Sequence, residues 1–144
     1  MHIGNSKEYV EIIKQEIMPT GTPSAGDVRV KVNVRLKEFS GAYGEVWFDK
    51  QDLYNFLRVF AIVVETRKGK ARITSMSPDE FWIEFRSYDN LGHFEVEVYL
   101  KRFQYSDNGP TYWPTIIAGG FGLDDPSTLP EIEEEFKRLA SQNS

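Results

Sequence analysis

Two stretches in which apolar and polar residues alternate, 81–88 and 93–100, constrain the fold more than any other feature. Alternation of this kind is typical of a strand that buries one face and exposes the other. The four residues between the stretches, 89–92, include Asp, Asn and Gly, which favour a tight connection. Closing this loop pairs Tyr88 with His93 and so determines the register of an antiparallel hairpin.

This register satisfies both faces of the hairpin. On the polar face it sets Arg86 opposite Glu95, and on the apolar face it sets Phe85 opposite Val96. A slip of one residue would exchange the two faces. The remaining predicted pairs are Glu84–Glu97, Trp82–Tyr99, Ile83–Val98 and Phe81–Leu100. We therefore expect an antiparallel sheet that contains this hairpin.

Five further strands and two helices are predicted on either side of the hairpin. The strands are 9–17, 27–39, 42–48, 71–75 and 115–123. A turn at Ser40–Gly41 separates the second of these from the third. One helix begins near Gln51 with Asp49 as its cap, and the other begins with the capping box of Thr128 and Glu131.

These elements run in the order β-β-β-α-β-β-β-β-α. Short loops and strict alternation favour an α+β fold, with a single twisted antiparallel sheet of six or seven strands and two helices packed on one face. A chain of 144 residues has room for one hydrophobic core. We therefore expect a single domain over residues 1–144.

The composition excludes several classes of protein. There is no cysteine, which excludes disulfides, thiolate metal sites and a cysteine nucleophile. The longest apolar run, Val59–Val64, is far shorter than a membrane span. Residues 1–6 lack the basic and apolar build of a secretory signal. We therefore expect a cytoplasmic protein that does not associate with a membrane.

The negative charge is concentrated in one segment, residues 124–135. This segment has no Lys or Arg and contains Asp124, Asp125, Glu131, Glu133, Glu134 and Glu135. Without these six charges the formal net charge of the chain would change from −5 to +1. A general nucleic-acid-binding protein would carry a basic surface, so no nucleic-acid partner is expected.

Two interpretations of this segment are open. Acidic side chains favourably meet the dipole at the start of a helix, but the effect fades beyond the first turn. Alternatively, the acids form a docking surface for a basic protein. Two aromatic residues in a polar loop over 105–114 would then be anchors, unless that loop folds back over the sheet edge. The predicted contact residues are Asp124, Asp125, Glu131, Glu134, Glu135, Tyr112 and Trp113.

Two alternatives concern the polar face of the hairpin. Trp82, Tyr99 and His93 would form the floor of a small-ligand site. His93 with Glu95 or Glu97 would supply an acid–base pair or metal ligands for an enzyme. The ordinary interpretation is a solvated face held by ion pairs, and no metal-binding motif accompanies these residues. We therefore expect no catalytic residue, no metal and no cofactor.

A series of short motifs, spread over about residues 28–140, consists mostly of turns, helix starts and core positions. The motifs are Phe39-Ser40-Gly41, Asp52-Leu53, Phe56, Phe60, Gly69-Lys70-Ala71, Gly92-His93-Phe94-Glu95-Val96, Phe121-Gly122-Leu123-Asp124-Asp125 and Thr128-Leu129. In this order they resemble the WapI-type immunity proteins of bacterial polymorphic-toxin systems. The chain departs from that family's pattern at 125–129, which reads Asp-Pro-Ser-Thr-Leu where Asp-Gln-Thr-x-Leu is expected.

The resemblance implies a non-catalytic immunity protein. Such a protein binds a cognate toxin domain, often a nuclease, and blocks it inside the producing cell. A nuclease that holds nucleic acid is usually basic, so the acidic segment would suit a partner of this kind. The expected partner is therefore a cognate basic toxin domain, and the motifs transfer no catalytic residue to this chain.

Overall fold

A computed structural model describes residues 1–105, 107, 109 and 112–142. Within these residues the chain forms eight strands, two α-helices and one turn of 3-10 helix. The elements are β1 (His2–Gly4), β2 (Glu8–Ile17), β3 (Val28–Leu36), β4 (Phe39–Phe48), α1 (Lys50–Thr66), β5 (Lys70–Thr74), β6 (Phe81–Ser87), β7 (Phe94–Tyr105), β8 (Tyr112–Gly122), the 3-10 turn (Pro126–Thr128) and α2 (Leu129–Leu139).

The strands form two antiparallel sheets of four, β1-β2-β3-β4 and β5-β6-β7-β8, so the α+β class is confirmed and the single larger sheet is wrong. Alternation predicts which face of a strand is buried, but it does not identify the neighbour of a strand across a helical connection. Here α1 separates β4 from β5, and each of these strands ends its own sheet. The additional strand β1 has only three residues, too few for a period to show.

The predicted hairpin is confirmed pair by pair. Arg86 lies opposite Glu95, and Phe85 lies opposite Val96. The backbone N–H of Tyr88 donates to the carbonyl of His93 at 3.3 Å, which closes the loop in the expected register. All of the other predicted pairs from Phe81–Leu100 to Glu84–Glu97 are present as well.

The hairpin of β3 and β4 in the other sheet turns earlier than predicted. Leu36 pairs with Phe39, so the loop consists of Lys37 and Glu38, and Lys37 has a left-handed φ of 59°. The predicted turn at Ser40–Gly41 is wrong, because both residues belong to β4 and pair with β3. The charged pair at the tip remains exposed, whereas the small residues fit within the strand.

The start of α1 follows the prediction, and the start of α2 does not. The side chain of Asp49 accepts hydrogen bonds from the N–H groups of Gln51 at 2.8 Å and Asp52 at 3.2 Å. At α2 the predicted capping box is wrong, because the side chain of Thr128 makes no cap bond and its backbone is already helical. The 3-10 turn precedes the helix, and Asp125 caps that turn by accepting from the N–H of Ser127 at 3.0 Å.

Both sheets and both helices contribute to one hydrophobic core. Phe56 and Phe60 of α1 and Phe136 of α2 pack around Phe85 of β6, with ring centroids between 4.8 and 6.4 Å apart. These helices therefore cover the apolar face of the second sheet, and the polar face of that sheet remains at the surface.

The hairpin of β7 and β8 is longer than predicted. The strands pair from Glu95–Gly122 to Tyr105–Tyr112, so the connection covers only residues 106–111. The predicted loop over 105–114 is wrong at both ends. Since β6 pairs with β7 only as far as Leu100, the remainder of the hairpin projects beyond its neighbour as a two-stranded arm.

Candidate interaction surfaces

The acidic surface is defined by Asp124, Asp125, Glu131, Glu134 and Glu135, at the start of α2 and just before it. Asp124 accepts a hydrogen bond from the side-chain amide of Asn5 at 2.8 Å, which ties this segment to the loop after β1. Asp125 is the cap of the 3-10 turn, and its hydrogen bonds with Ser127 hold the pKa of its carboxyl below the ordinary value. Both carboxylates thus have local structural roles while remaining exposed.

Two glutamates of the acidic surface form ion pairs within α2, and Glu133 beside them lies 4.0 Å from Lys137. Glu134 lies 3.0 Å from Lys137, and Glu135 contacts Arg138 in the same i, i+3 spacing. The hydrogen bond with Glu134 and the charge of Glu133 raise the pKa of Lys137. Exposed helix pairs of this type contribute little to stability and exchange readily with other partners. They also reduce the net charge of the segment 124–138 to −4, from six acids and two bases.

A cleft of about 260 Å³ lies between β1 and α2 on the acidic surface. Its α2 wall includes Glu131 and Glu135, which are four residues apart and therefore on one side of the helix. Ile132 also borders the cleft, but it is only 5% exposed and belongs to the hydrophobic core. The cleft thus presents two carboxylates, which suit the charged head of a Lys or Arg side chain.

The predicted aromatic anchors are not beside these acids. Trp113 lies near the first end of β8, and Asp124 follows the last end of the same strand. Gly122 is nine residue steps along the extended strand from Trp113, which corresponds to about 30 Å. The structure therefore places the exposed Trp113 and the acidic surface at opposite ends of β8. The side chain of Tyr112 lies outside the described part of the chain.

A second group of carboxylates surrounds Arg86 on the polar face of β6 and β7; we call Arg86, Glu84, Glu95 and Glu97 the Arg86 cluster. The guanidinium of Arg86 lies 2.6 Å from Glu95, 2.9 Å from Glu97 and 2.9 Å from Glu84. Hydrogen bonds with these carboxylates raise the pKa of Arg86. Since its guanidinium already binds three carboxylates, Arg86 holds the hairpin together across both strands.

Glu84 is the most buried member of the Arg86 cluster, with 7% of its side chain exposed. Burial alone would raise the pKa of Glu84, but hydrogen bonds from Arg86 and Arg72 and their positive charges leave it below the ordinary value. Arg72 of β5 lies 3.1 Å from Glu84, so the cluster extends over three strands. The pair of Arg86 with Glu95 was predicted from the sequence. The contribution of Arg72 was not, because it depends on β5 being the neighbour of β6.

The expected floor of a small-ligand site is covered by the chain itself. Trp82 and Tyr99 are stacked, with ring centroids 5.9 Å apart and planes inclined by 3°. The guanidinium of Arg72 lies over the Trp82 ring at 3.7 Å. A planar ligand would have to displace one of these neighbours to stack on the indole, so the geometry does not favour this alternative.

Among the described residues, His93 forms its ion pair with Asp89 and not with the glutamates that the enzyme alternative assigns to it. Its Nδ1 lies 2.6 Å from Asp89, and its ring stacks on Tyr88 at a centroid distance of 5.9 Å. Glu95 and Glu97 are instead bound to Arg86. Among the described residues no group of three or more His, Asp or Glu side chains could hold a metal ion.

The sequence did not indicate a groove of about 730 Å³ between β4 and the hairpin of β7 and β8. Phe39 and Ile116 line this groove and are 72% and 51% exposed. Its remaining lining is mostly apolar or small, except for Thr115, Ser40 and Arg102. The signal that could have found it is the uncharged, glycine-rich composition of residues 112–122.

Comparison of the chain with protein-family models, with curated proteins and with solved structures gives no match. In the part of the chain that the structure describes, no helix is both long enough and apolar enough to cross a membrane.

Proposed function

We propose that this protein is a non-catalytic binding protein of the immunity type, which neutralises a cognate basic toxin domain inside the cell that produces it. The toxin domain docks on the acidic surface at the start of α2. The resemblance to WapI-type immunity proteins supports the class of partner, and the acidic surface supports the place of contact.

The observation that carries the proposal is the cleft between β1 and α2. Glu131 and Glu135 stand on its α2 wall. A Lys or Arg side chain that enters the cleft would place its charge between two carboxylates. Basic residues that hold nucleic acid in a nuclease are suitable for this contact, and their capture would exclude the substrate.

The internal ion pairs of α2 do not oppose such docking. Glu134 and Glu135 remain substantially exposed, at 58% and 42% of their side chains, although Lys137 and Arg138 lie beside them. A partner guanidinium can replace or join these cations at small cost because exposed pairs are weak. The charge of the surface would mainly accelerate the encounter, and apolar contacts would keep the complex together.

The test measures binding to the purified C-terminal domain of the toxin encoded beside this protein's gene. We expect the double reversal Glu134→Lys and Glu135→Lys to raise the Kd about tenfold or more, with a larger effect at low salt. The matched control is Glu38→Lys with Glu65→Lys, which changes the net charge equally at exposed positions elsewhere. The control should bind like the wild type.

The outcomes separate the function from the surface. If the wild type does not bind the toxin domain, the immunity function is wrong. If both double variants bind equally well, or if both weaken equally, the assignment of the acidic surface is wrong, because a local contact must distinguish them.

A further inference from the structure

An edge strand has unpaired backbone N–H and C=O groups that can pair with a strand of another chain. Three edge strands of this protein carry features that discourage such pairing. β1 has only three residues, and β5 has five, of which Lys70 and Arg72 are charged. β4 has a register shift opposite β3 between Val30 and Val32, and its Trp47 carbonyl already accepts a hydrogen bond from Met76 at 2.8 Å. Short length, charge and irregular pairing each discourage a further strand.

The fourth edge strand, β8, carries almost none of these features. Its 11 residues include no charged side chain, and its pairing with β7 shows no register shift. Pro114 is its one interruption, near the first end of the strand. From Ile116 to Gly122, β8 is therefore a regular edge strand without charged side chains, proline or a register shift.

The register shows which backbone groups of β8 point away from β7. The N–H of Leu123 donates to the carbonyl of Phe94 at 2.9 Å, so this pair is of the hydrogen-bonded type. The types alternate along an antiparallel ladder, and residues with even numbers in β8 therefore direct their N–H and C=O groups outward. These residues are Ile116, Ala118, Gly120 and Gly122, and within the described residues no hydrogen bond from their outward groups is seen.

This edge is accessible. Gly120 and Gly122 are both exposed, and because glycine has no side chain this exposure belongs to the backbone. Residues 115–120 of β8 also line the groove of about 730 Å³, and β4 forms its opposite wall. Phe39 and Ile116 line the groove with exposed apolar surface, which marks sites of association when it occurs next to a regular edge.

We propose that β8 pairs with β8 of a second copy of this chain, in an antiparallel arrangement centred on Gly119, to form one continuous eight-stranded sheet. Ile116 then lies opposite Gly122 of the partner subunit, and Ala118 lies opposite Gly120 of the partner subunit. All four outward residues of each strand find hydrogen-bond partners, while Pro114, which has no N–H, remains just outside the paired stretch.

The register argues for a second copy rather than for a strand of another protein. A two-fold axis requires a surface that complements itself, and here the larger residue of each pair meets a glycine. The four outward residues are placed symmetrically about Gly119, so one strand supplies both halves of the interface. This inference does not rest on the proposed function, because the acidic surface lies around α2 and the toxin domain takes no part in the pairing.

The test measures the mass of the protein by sedimentation over a concentration series. We expect the wild type to approach twice the chain mass of 16.6 kDa as concentration rises. Ala118→Pro removes one outward N–H without removing a bond to β7 and should remain at one chain mass, whereas the matched control Ala118→Ser should associate like the wild type. The amide of Gly120 should exchange more slowly with deuterium at high concentration, because pairing protects it.

A second pair of variants covers the case in which Ala118→Pro fails to fold. Gly122 also directs its N–H away from β7, so Gly122→Pro removes another outward donor. Gly122→Ala is its control, since an added Cβ at Gly122 meets nothing within 4 Å. A wild type that stays at one chain mass up to its highest soluble concentration overturns the proposal. So does a dimer that both folded proline variants retain, or one whose Gly120 amide exchanges at the same rate at every concentration.

Discussion

The Arg86 cluster and the acidic surface contain the same kind of side chain in opposite situations. In the Arg86 cluster three glutamates from two strands converge on one guanidinium, within 2.6 to 2.9 Å. On the acidic surface the carboxylates are spread along a turn and a helix, and their cations belong to the same helix. Density of acids alone therefore does not identify a docking surface; the decisive difference is whether the fold already supplies a fixed partner.

The two regions also differ in whether their ion pairs stabilise the fold. The cluster joins neighbouring strands of the sheet, β6 and β7, and Glu84 within it is nearly buried. Each buried or half-buried charge of the cluster therefore depends on the opposite charges beside it. The acidic surface joins only neighbouring residues of α2 and remains in solvent, where ion pairs are weak. We expect substitutions in the cluster to change folding and substitutions on the acidic surface to change association.

The largest expected effect comes from Arg86→Met. It leaves Glu84 with Arg72 alone and frees Glu95 and Glu97 to repel each other. We expect the free energy of unfolding to fall by about 2 kcal/mol, below the roughly 3–5 typical of fully buried pairs because Arg86 is one-third exposed. Urea denaturation followed by circular dichroism measures it. A loss no larger than that of Lys137→Met would remove the distinction between the two regions.

A smaller effect is expected in the pH dependence of the same two proteins. The pKa of Glu84 is lower in the folded state than its ordinary value of 4.5, so its ionisation stabilises the fold above pH 4.5. This contribution is lost as the pH falls through the folded pKa, and Arg86→Met has less of it to lose. The difference in unfolding free energy between the two proteins should therefore shrink below pH 4.5.

Glu80 provides an internal check on that titration. Burial raises its pKa, so it contributes the opposite trend in both proteins and cancels in their difference. Denaturation curves at a series of pH values between neutral and acid conditions give the comparison. A difference that stays constant across this range would show that Glu84 is not the carboxylate that Arg86 stabilises.

The smallest effect is expected for Lys137→Met. Its pair with Glu134 is exposed and local, and its distance from the largely buried Glu133 is 4.0 Å, so we expect no measurable change in melting temperature. The substitution removes a cation beside the acidic surface and should strengthen binding of the toxin domain that we propose as the partner. Calorimetric titration with that domain measures the change, and a clear loss of melting temperature would indicate that α2 depends on this pair.

Local pattern was sufficient for the parts of the fold that depend on neighbouring residues. The register of Arg86 with Glu95 follows from the loop length and from two alternating faces, and Asp49 caps α1 because its carboxylate reaches the first free N–H groups. The capping box at Thr128 failed because the 3-10 turn gives this residue a helical backbone before α2 begins. Asp125 and Thr128 are both suitable caps at this point of the sequence. The local sequence does not show which of them is used.

The pattern of apolar and polar residues does not predict which strands become neighbours when they are far apart in sequence. The division into two sheets depends on which strand lies beside β4 and β5 across α1, and residues in these strands look the same in either arrangement. For the same reason the contact of Arg72 with Trp82 was missed. The distance between Trp113 and Asp124 was misjudged because residues 112–114 continue a strand instead of forming a loop.

The ring of Phe136 touches the rings of Phe56, Phe60 and Phe85, which come from α1 and from β6. During translation, a nascent polypeptide that has not yet extended past residue 136 lacks the phenyl group against which the other three pack. These three rings contact one another, but the side of the group that Phe136 covers remains exposed until α2 has emerged from the ribosome tunnel. Chaperone engagement would be most needed in that interval.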